Sequence, residues 1–190
     1  MRRLAIDLKY IIDNYNSYRL GIHSLNNIKL RFDNIIDKLD GILEDYQMEY
    51  NNVQGKPNIP FIPLIAIRDP IYSNNMTTGI YVAILIKQGV GLYISLNQGT
   101  ENKANFNIDA DRERYRRRVA DIILDGEIVV IPSLVEQIDL CSTIRGNKKR
   151  AKSYERGNIV ATFYDKQSLD DNYERFVIDL MWFMELYRKL

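Results

Sequence analysis

Apolar side chains recur every three or four positions near the start of the chain, which is the period of an α-helix. Over residues 3–18 this pattern predicts one helix that ends near Gly21. Ser24 is the predicted N-cap of a second helix that stops near Gly41, because a serine hydroxyl accepts a hydrogen bond from an N–H group of the first helical turn. The first forty residues are therefore predicted to be helical.

Two more helices are predicted in the second half of the chain. Residues 111–124 carry a helical pattern rich in arginine, and Asp170 or Asp171 is the predicted cap of a final helix. Trp182 lies on the apolar stripe of that final helix, so we expect it in the core. The other apolar positions of the stripe are Phe176, Leu180, Phe183, Met184 and Tyr187.

Between the helices, short runs of apolar, β-branched and aromatic residues predict strands. The third and fourth of these runs are separated by a Gln-Gly-Val sequence that can supply a positive φ, so together they predict a β-hairpin. The five strands are predicted over residues 46–50, 62–67, 79–86, 91–99 and 158–164.

The remaining segments carry fewer signals. Residues 51–60 contain one glycine and two prolines and are predicted to be a loop, while residues 102–109 are polar and irregular. Residues 127–143 stay open between a strand in their first half and a helical turn in their second. The predicted fold is α+β, with a central mixed or mainly antiparallel sheet flanked by N-terminal, middle and C-terminal helices. We expect a single domain over residues 1–190, of which 1–41 are helical and 46–190 hold the sheet.

Composition narrows the class of protein. The chain has 190 residues and one cysteine, Cys141, so no internal disulfide is possible. Its longest apolar run, residues 80–86, is far shorter than the roughly 20 residues that cross a bilayer as a helix. We therefore expect a cytoplasmic protein with no membrane partner.

The net charge is only +1, but two segments concentrate basic residues. The cluster over residues 112–118 is mixed with carboxylates and is interpreted either as a solvated helix face or as a DNA contact. The second cluster contains glycine and asparagine and is predicted to be a mobile loop along a phosphate backbone. Its basic residues are Arg145, Lys148, Lys149, Arg150, Lys152 and Arg156.

Few residues point to catalysis. His23 is the only histidine, and the chain has no glycine-rich phosphate loop. One alternative is a metal-dependent restriction nuclease, in which Asp69 and Glu101 would hold Mg²⁺ and Lys103 would polarise the attacking water. We favour a chain without catalysis, cofactor or metal.

Four segments together resemble one family. Residues 62–67 read Ile-Pro-Leu-Ile-Ala-Ile, residues 79–85 read Gly-Ile-Tyr-Val-Ala-Ile-Leu, and residues 93–99 read Tyr-Ile-Ser-Leu-Asn-Gln-Gly. Residues 152–159 add a Tyr-x-x-Gly-x-Ile entry to a late strand. In their order and spacing these segments resemble the N-terminal DNA-binding domain of McrB-like modification-dependent restriction proteins.

The resemblance implies a DNA-specificity domain for phage defence that recognises a modified base, such as 5-methylcytosine, by base flipping. It implies double-stranded DNA as partner, an AAA+ GTPase domain in the same or another chain, and a nuclease subunit reached through that motor. By the resemblance, the base pocket is formed by Tyr81, Leu85, Tyr154 and Leu64. The loop that follows the DNA groove then contains Lys56 and Asn58.

Two residues depart from the family pattern. Leu64 stands where some members have an aromatic ring, and Lys56 stands where an aromatic plug would fill the gap left by the flipped base. These departures leave open which modified base is read. A third interpretation is a protein-interaction module without nucleic acid, in which the apolar terminal helix docks on another domain.

Overall fold

The structure, a computed structural model, describes residues 2–22, 24–50, 59–71, 76–101, 107–128, 133–141 and 148–190. The helices are α1 (Arg2–Arg19), α2 (Leu25–Asp40), α3 (Ile108–Leu124), α4 (Lys148–Gly157), α5 (Lys166–Asp171) and α6 (Tyr173–Lys189). The strands are β1 (Gln47–Tyr50), β2 (Leu64–Arg68), β3 (Ile80–Lys87), β4 (Gly91–Gln98) and β5 (Asn158–Asp165). The chain is thus α+β, as the hydrophobic pattern predicts.

The five strands form one sheet in the order β1-β2-β3-β4-β5, and every neighbouring pair is antiparallel. The predicted hairpin is β3–β4, and Gly89 in its turn has a φ of +76°, a conformation that glycine adopts without steric penalty. Strand order follows chain order, so each strand pairs with the one before it. The sequence predicts either a mixed or a mainly antiparallel sheet, and the structure has an antiparallel one.

Alternating side chains divide the sheet into two apolar faces. The first face, which includes Ile65, Ile84 and Ile94, packs with helices α1, α2, α3, α5 and α6 in the main core. The second face is covered by a smaller cluster, to which α4 and the segment over residues 133–141 contribute. Its buried members are Ile62, Leu64, Ala66, Tyr81, Ala83, Leu85, Tyr93, Ile138, Leu140, Ala151 and Ala161.

The two N-terminal helices form a hairpin with a buried carboxylate between them. Asp7 of α1 is 3% exposed and accepts hydrogen bonds from Arg31 at 2.6 Å and from Lys38 at 2.5 Å, both on α2. Ser24 caps α2 as predicted, since its Oγ accepts from the Asn26 N–H. Trp182 is buried, as expected of a core residue.

Three local predictions are wrong or are decided by the structure. Residues 148–157, predicted to be a loop, form helix α4, because Ala151 and Tyr154 pack on the second cluster. Asp170 and Asp171 do not cap the last helix; they lie in α5, whose cap is Asp165 with its Oδ1 accepting from the Ser168 N–H at 2.7 Å. Residues 133–141 form no helix, and Val135 makes an isolated antiparallel bridge with Ala161 of β5.

Within the described residues, no helix is both long enough and apolar enough to cross a membrane.

Candidate nucleic-acid interface

Helix α4 lies against the second face of the sheet with one side and faces solvent with the other. Ala151 is fully buried and Glu155 accepts a hydrogen bond from the Leu140 N–H at 2.8 Å, so these two residues mark the inner side. Lys149, Arg150 and Lys152 are exposed. The helix therefore presents a cationic outer side, built from residues that composition alone suggested to be a loop.

The cations in the first half of α4 lie where the helix dipole disfavours positive charge. The first turn has no acidic residue, and Lys149, Arg150 and Lys152 all lie in its first half, where the helix dipole is positive. Within the described part of the chain, these three cations have no carboxylate within salt-bridge distance. Positive charge that neither stabilises the helix nor pairs internally is available to an anionic partner.

Arg156, in contrast, already has a carboxylate partner within the protein. Its guanidinium pairs with Asp109 of α3, and this contact holds the pKa of the Asp109 carboxyl below its usual value. The pKa of Arg156 is raised for the same reason. Of the six basic residues predicted to contact the DNA backbone, Arg156 is thus part of an internal joint between α3 and α4.

Of the four predicted base-pocket residues, Tyr81, Leu64 and Leu85 lie together inside the second cluster. Leu64 and Leu85 are direct partners across β2 and β3 and are fully buried, while Tyr81 is 2% exposed. Burial raises the pKa of the Tyr81 hydroxyl, with a smaller contribution from Tyr154. These three residues therefore lie in the buried interior of the cluster.

Tyr154 is the fourth predicted pocket residue and is half-buried at the margin of the same cluster. It shares a helix side with Arg150, four residues earlier. Both residues act electrostatically on Tyr15 of α1, whose pKa is raised chiefly by burial and whose hydroxyl donates to the Pro60 carbonyl at 2.8 Å. Tyr154 and Arg150 therefore lie near the point where the chain leaves the predicted groove loop.

A pocket of about 390 Å³ opens at the turn end of the sheet. Arg19 lies over the Phe61 ring at 4.5 Å from its centroid, and Gln88 donates to the Phe61 carbonyl. Ile62 and Leu140 belong both to the wall of this pocket and to the second cluster. The pocket thus borders the cluster that holds the predicted base-contacting residues, although none of those residues lines it.

The arginines of α3 are mostly engaged within the protein. Arg116 is 17% exposed, pairs with Glu113 and donates to the carbonyls of Ile159 and Glu136. Arg112 and Arg114 also form ion pairs with α3 carboxylates. Arg112 also donates to the Arg156 carbonyl, so for Arg112 and Arg116 the structure favours a structural role, whereas Arg114 is 68% exposed.

Two of the three residues of the alternative nuclease site, Asp69 and Glu101, lie among the described residues. Asp69 is 6% exposed and its carboxylate accepts from the Ile71 N–H at 2.8 Å, while Glu101 is exposed. Within the described ranges, no group of three His, Cys, Asp or Glu side chains could hold a metal ion. Lys103 lies outside the described residues.

Some other predicted residues also lie outside the described part. They are His23, Lys56, Asn58, Arg145 and the side chain of Lys148.

Sequence reasoning missed a buried polar network between β4, β5 and α4. Asn97 donates from Nδ2 to Ser95 Oγ at 3.2 Å and to the Tyr154 carbonyl at 3.1 Å, and Ser95 donates to Asn158 Oδ1 at 2.6 Å. Asn158 donates onward to the Glu136 carbonyl at 2.9 Å. Ser95, Asn97 and Asn158 are fully buried. The signal was visible as two polar residues, Ser95 and Asn97, inside the otherwise apolar run 91–97.

Comparison with protein families identifies the class to which this chain belongs. The family model of the MrcB-like N-terminal domain matches residues 9–190. The chain therefore belongs to the family of MrcB-like N-terminal domains, and it is a domain of the McrB-like restriction type. The comparisons match it to no curated protein and to no solved structure.

Proposed function

We propose that this chain is the DNA-binding specificity domain of a modification-dependent restriction system. The observation that carries the proposal is the cationic outer side of α4, where Lys149, Arg150 and Lys152 lack carboxylate partners among the described residues. Such residues neutralise phosphates and release counterions, which makes binding strong and salt-dependent even on a nearly neutral protein. Family membership supports the same assignment.

The proposed ligand is a modified base swung out of the duplex. Reading a small group such as a methyl within a stacked helix is difficult, so proteins that act on single bases commonly extrude the nucleotide into a fitted pocket. In the proposal Tyr154 supplies the stacking ring at the surface, with Tyr81, Leu64 and Leu85 behind it. Lys56, Asn58 and Arg145 are proposed to contact the backbone or the groove.

The proposed assembly is larger than this chain. An AAA+ GTPase domain in the same or a partner chain would supply the motor, and a nuclease subunit would act through it. The chain itself would contribute recognition and no catalysis.

Binding to matched duplexes tests the proposal. Four otherwise identical duplexes carry no modification, 5-methylcytosine, 5-hydroxymethylcytosine or N6-methyladenine, and affinity is measured at several salt concentrations. We expect a steep salt dependence and a preference for one modified duplex. Absence of binding to all four duplexes at low salt would instead favour the protein-interaction module.

Variants at Tyr154 and Phe61 locate the base. Tyr154→Ala is expected to abolish the preference and to leave part of the nonspecific affinity, because Lys149, Arg150 and Lys152 remain. Phe61→Ala alters the pocket at the turn end of the sheet, beside Arg19. Loss of the preference in Phe61→Ala alone would move the base to that pocket and remove Tyr154 from the site.

A further inference from the structure

The C-terminus of α4 is held by side chains from other elements. The last four carbonyls of an α-helix have no partner within the helix, and Tyr154 and Arg156 contribute two of these. Asn97 of β4 donates to the Tyr154 carbonyl at 3.1 Å, and Arg112 of α3 donates to the Arg156 carbonyl at 2.9 Å. The helix then runs directly into β5 at Asn158 with no intervening loop.

The sheet brings Asn97 to this carbonyl in a defined position. Asn97 is the direct partner of Tyr81 across β3 and β4, so one residue pairs with one predicted base-contacting tyrosine and holds the backbone of the other. A register shift after Leu96 sets Asn97 opposite Asn158. Asn97 donates to Ser95, and Ser95 donates to Asn158. Because the Ser95 hydroxyl proton is used on Asn158, Ser95 accepts from Asn97, and this fixes the orientation of the Asn97 amide.

The arrangement is close-packed around Asn97. A Cβ atom added at Gly157 would lie 2.4 Å from Asn97 Oδ1 and 2.5 Å from the Gln98 carbonyl oxygen. Asn97 Oδ1 itself is buried without a hydrogen-bond partner in the described structure. A buried asparagine that leaves one acceptor unsatisfied is a poor choice for stability alone, because an orphaned buried polar atom destabilises the fold.

We infer that Asn97, supported by Ser95 and Asn158, is a positioning residue for base recognition. This role rests on the function proposed above. The Asn97 amide fixes the last turn of α4, so that the Tyr154 ring stands beside Tyr81. The basic residues of α4 then keep a set orientation to the duplex. The network therefore controls selectivity between modified and unmodified DNA, whereas the general attraction for phosphate comes from the exposed cations.

The experiment measures two quantities on Asn97→Leu, Ser95→Ala and the control Thr162→Val. Thr162 is also fully buried on β5 and shares a hydrogen bond with Ser133 at 2.6 Å, but it lies on the other face of the sheet. The first quantity is the affinity ratio between the preferred modified duplex and the unmodified one. The second is amide hydrogen exchange in residues 150–157 relative to β3.

Asn97→Leu is expected to reduce the affinity ratio at least about fivefold, the effect of one lost buried hydrogen bond, while affinity for unmodified DNA changes less than about twofold. Exchange over residues 150–157 is expected to become faster, and Thr162→Val is expected to leave both quantities unchanged. An unchanged ratio in Asn97→Leu overturns the inference, as does an equal loss in Thr162→Val.

Two other outcomes are also decisive. If Asn97→Leu does not fold, the affinity ratio and the hydrogen exchange of Ser95→Ala decide the inference. This variant removes one hydroxyl and leaves the Asn97 donor in place. If the parent chain binds none of the duplexes, the proposed function fails, and exchange then decides the positioning role by itself. Unaltered exchange in the last turn of α4 would refute that role.

Discussion

Arg156 of α4 donates two hydrogen bonds to Asp109 of α3, from Nη2 at 2.6 Å and from Nε at 3.2 Å. Both side chains are 51% exposed, so the pair adds little to the free energy of unfolding. Asp109 lies in the first turn of α3, where the helix dipole favours a carboxylate. The pair distinguishes Arg156 from Lys149, Arg150 and Lys152, the exposed cations of the same helix that have no carboxylate partner among the described residues.

The salt dependence of DNA binding is expected to separate these cations. Each of Lys149→Ala, Arg150→Ala and Lys152→Ala should reduce the slope of log affinity against log salt by about 1, because one phosphate contact is lost. Arg156→Ala should change the slope less, since Asp109 already neutralises its charge. Fluorescence anisotropy at four salt concentrations measures the slopes, and equal slopes for all four variants would contradict the assignment.

Buried and half-buried tyrosines are expected to make the fold sensitive to alkali. Burial, the main cause, raises the pKa of Tyr15, Tyr50, Tyr81 and Tyr164 above the ordinary 10.0 and raises that of Tyr18 to about 12. For such groups the stabilisation is complete below the unfolded-state pKa and is lost as pH rises through the folded-state value.

The consequence is measured by unfolding in urea between pH 8 and pH 11. Each such tyrosine lowers the free energy of unfolding by up to about 1.4 kcal/mol per pH unit above pH 10. Tyr81→Phe removes one of these hydroxyls and should make the decline above pH 10 shallower than in the parent chain. An identical decline would show that the Tyr81 hydroxyl ionises as easily in the folded state as in the unfolded one.

The hairpin of α1 and α2 is expected to depend on Asp7. Asp7→Ala removes a buried carboxylate that joins Arg31 and Lys38, which are only about one-third exposed. We expect a loss of about 1–3 kcal/mol in the free energy of unfolding, less than for a fully buried pair because water still reaches both cations. Asp13→Ala, which breaks a pair between side chains that are 46% and 42% exposed, serves as the control and should lose less than about 1 kcal/mol.

Elements with a strong period could be predicted from the sequence. The β3–β4 hairpin has two β-branched and aromatic runs around Gly89, and α1, α2 and α6 have apolar stripes that span several turns. In each case the sequence period and the buried face agree, so local preference and tertiary packing point to the same structure.

Helix α4 could not be predicted, for a physical reason. Its sequence is almost entirely charged or polar, and among its described side chains only Ala151 and Tyr154 make apolar contacts with the second cluster. A stripe this narrow gives no apolar period, so the helix becomes recognisable only when the sheet face that it covers is known. The same holds for Asn97, whose partner is a backbone carbonyl 57 residues away.

Gly157, at the junction of α4 and β5, is expected to tolerate no side chain. In Gly157→Ala the new methyl group would lie 2.5 Å from the Gln98 carbonyl oxygen, which belongs to the backbone of a central strand and cannot rotate away. We expect a loss of about 1–3 kcal/mol in the free energy of unfolding, as for other overpacked sites.

Gly41→Ala is the matched control, because φ there is −66° and the nearest atom to the added Cβ is 3.8 Å away. It should be neutral or stabilising by up to about 1 kcal/mol, since alanine restricts the unfolded chain more than glycine does. Urea unfolding of both variants measures the difference, and equal stabilities would show that α4 shifts freely on the sheet and that its position is not fixed by this junction.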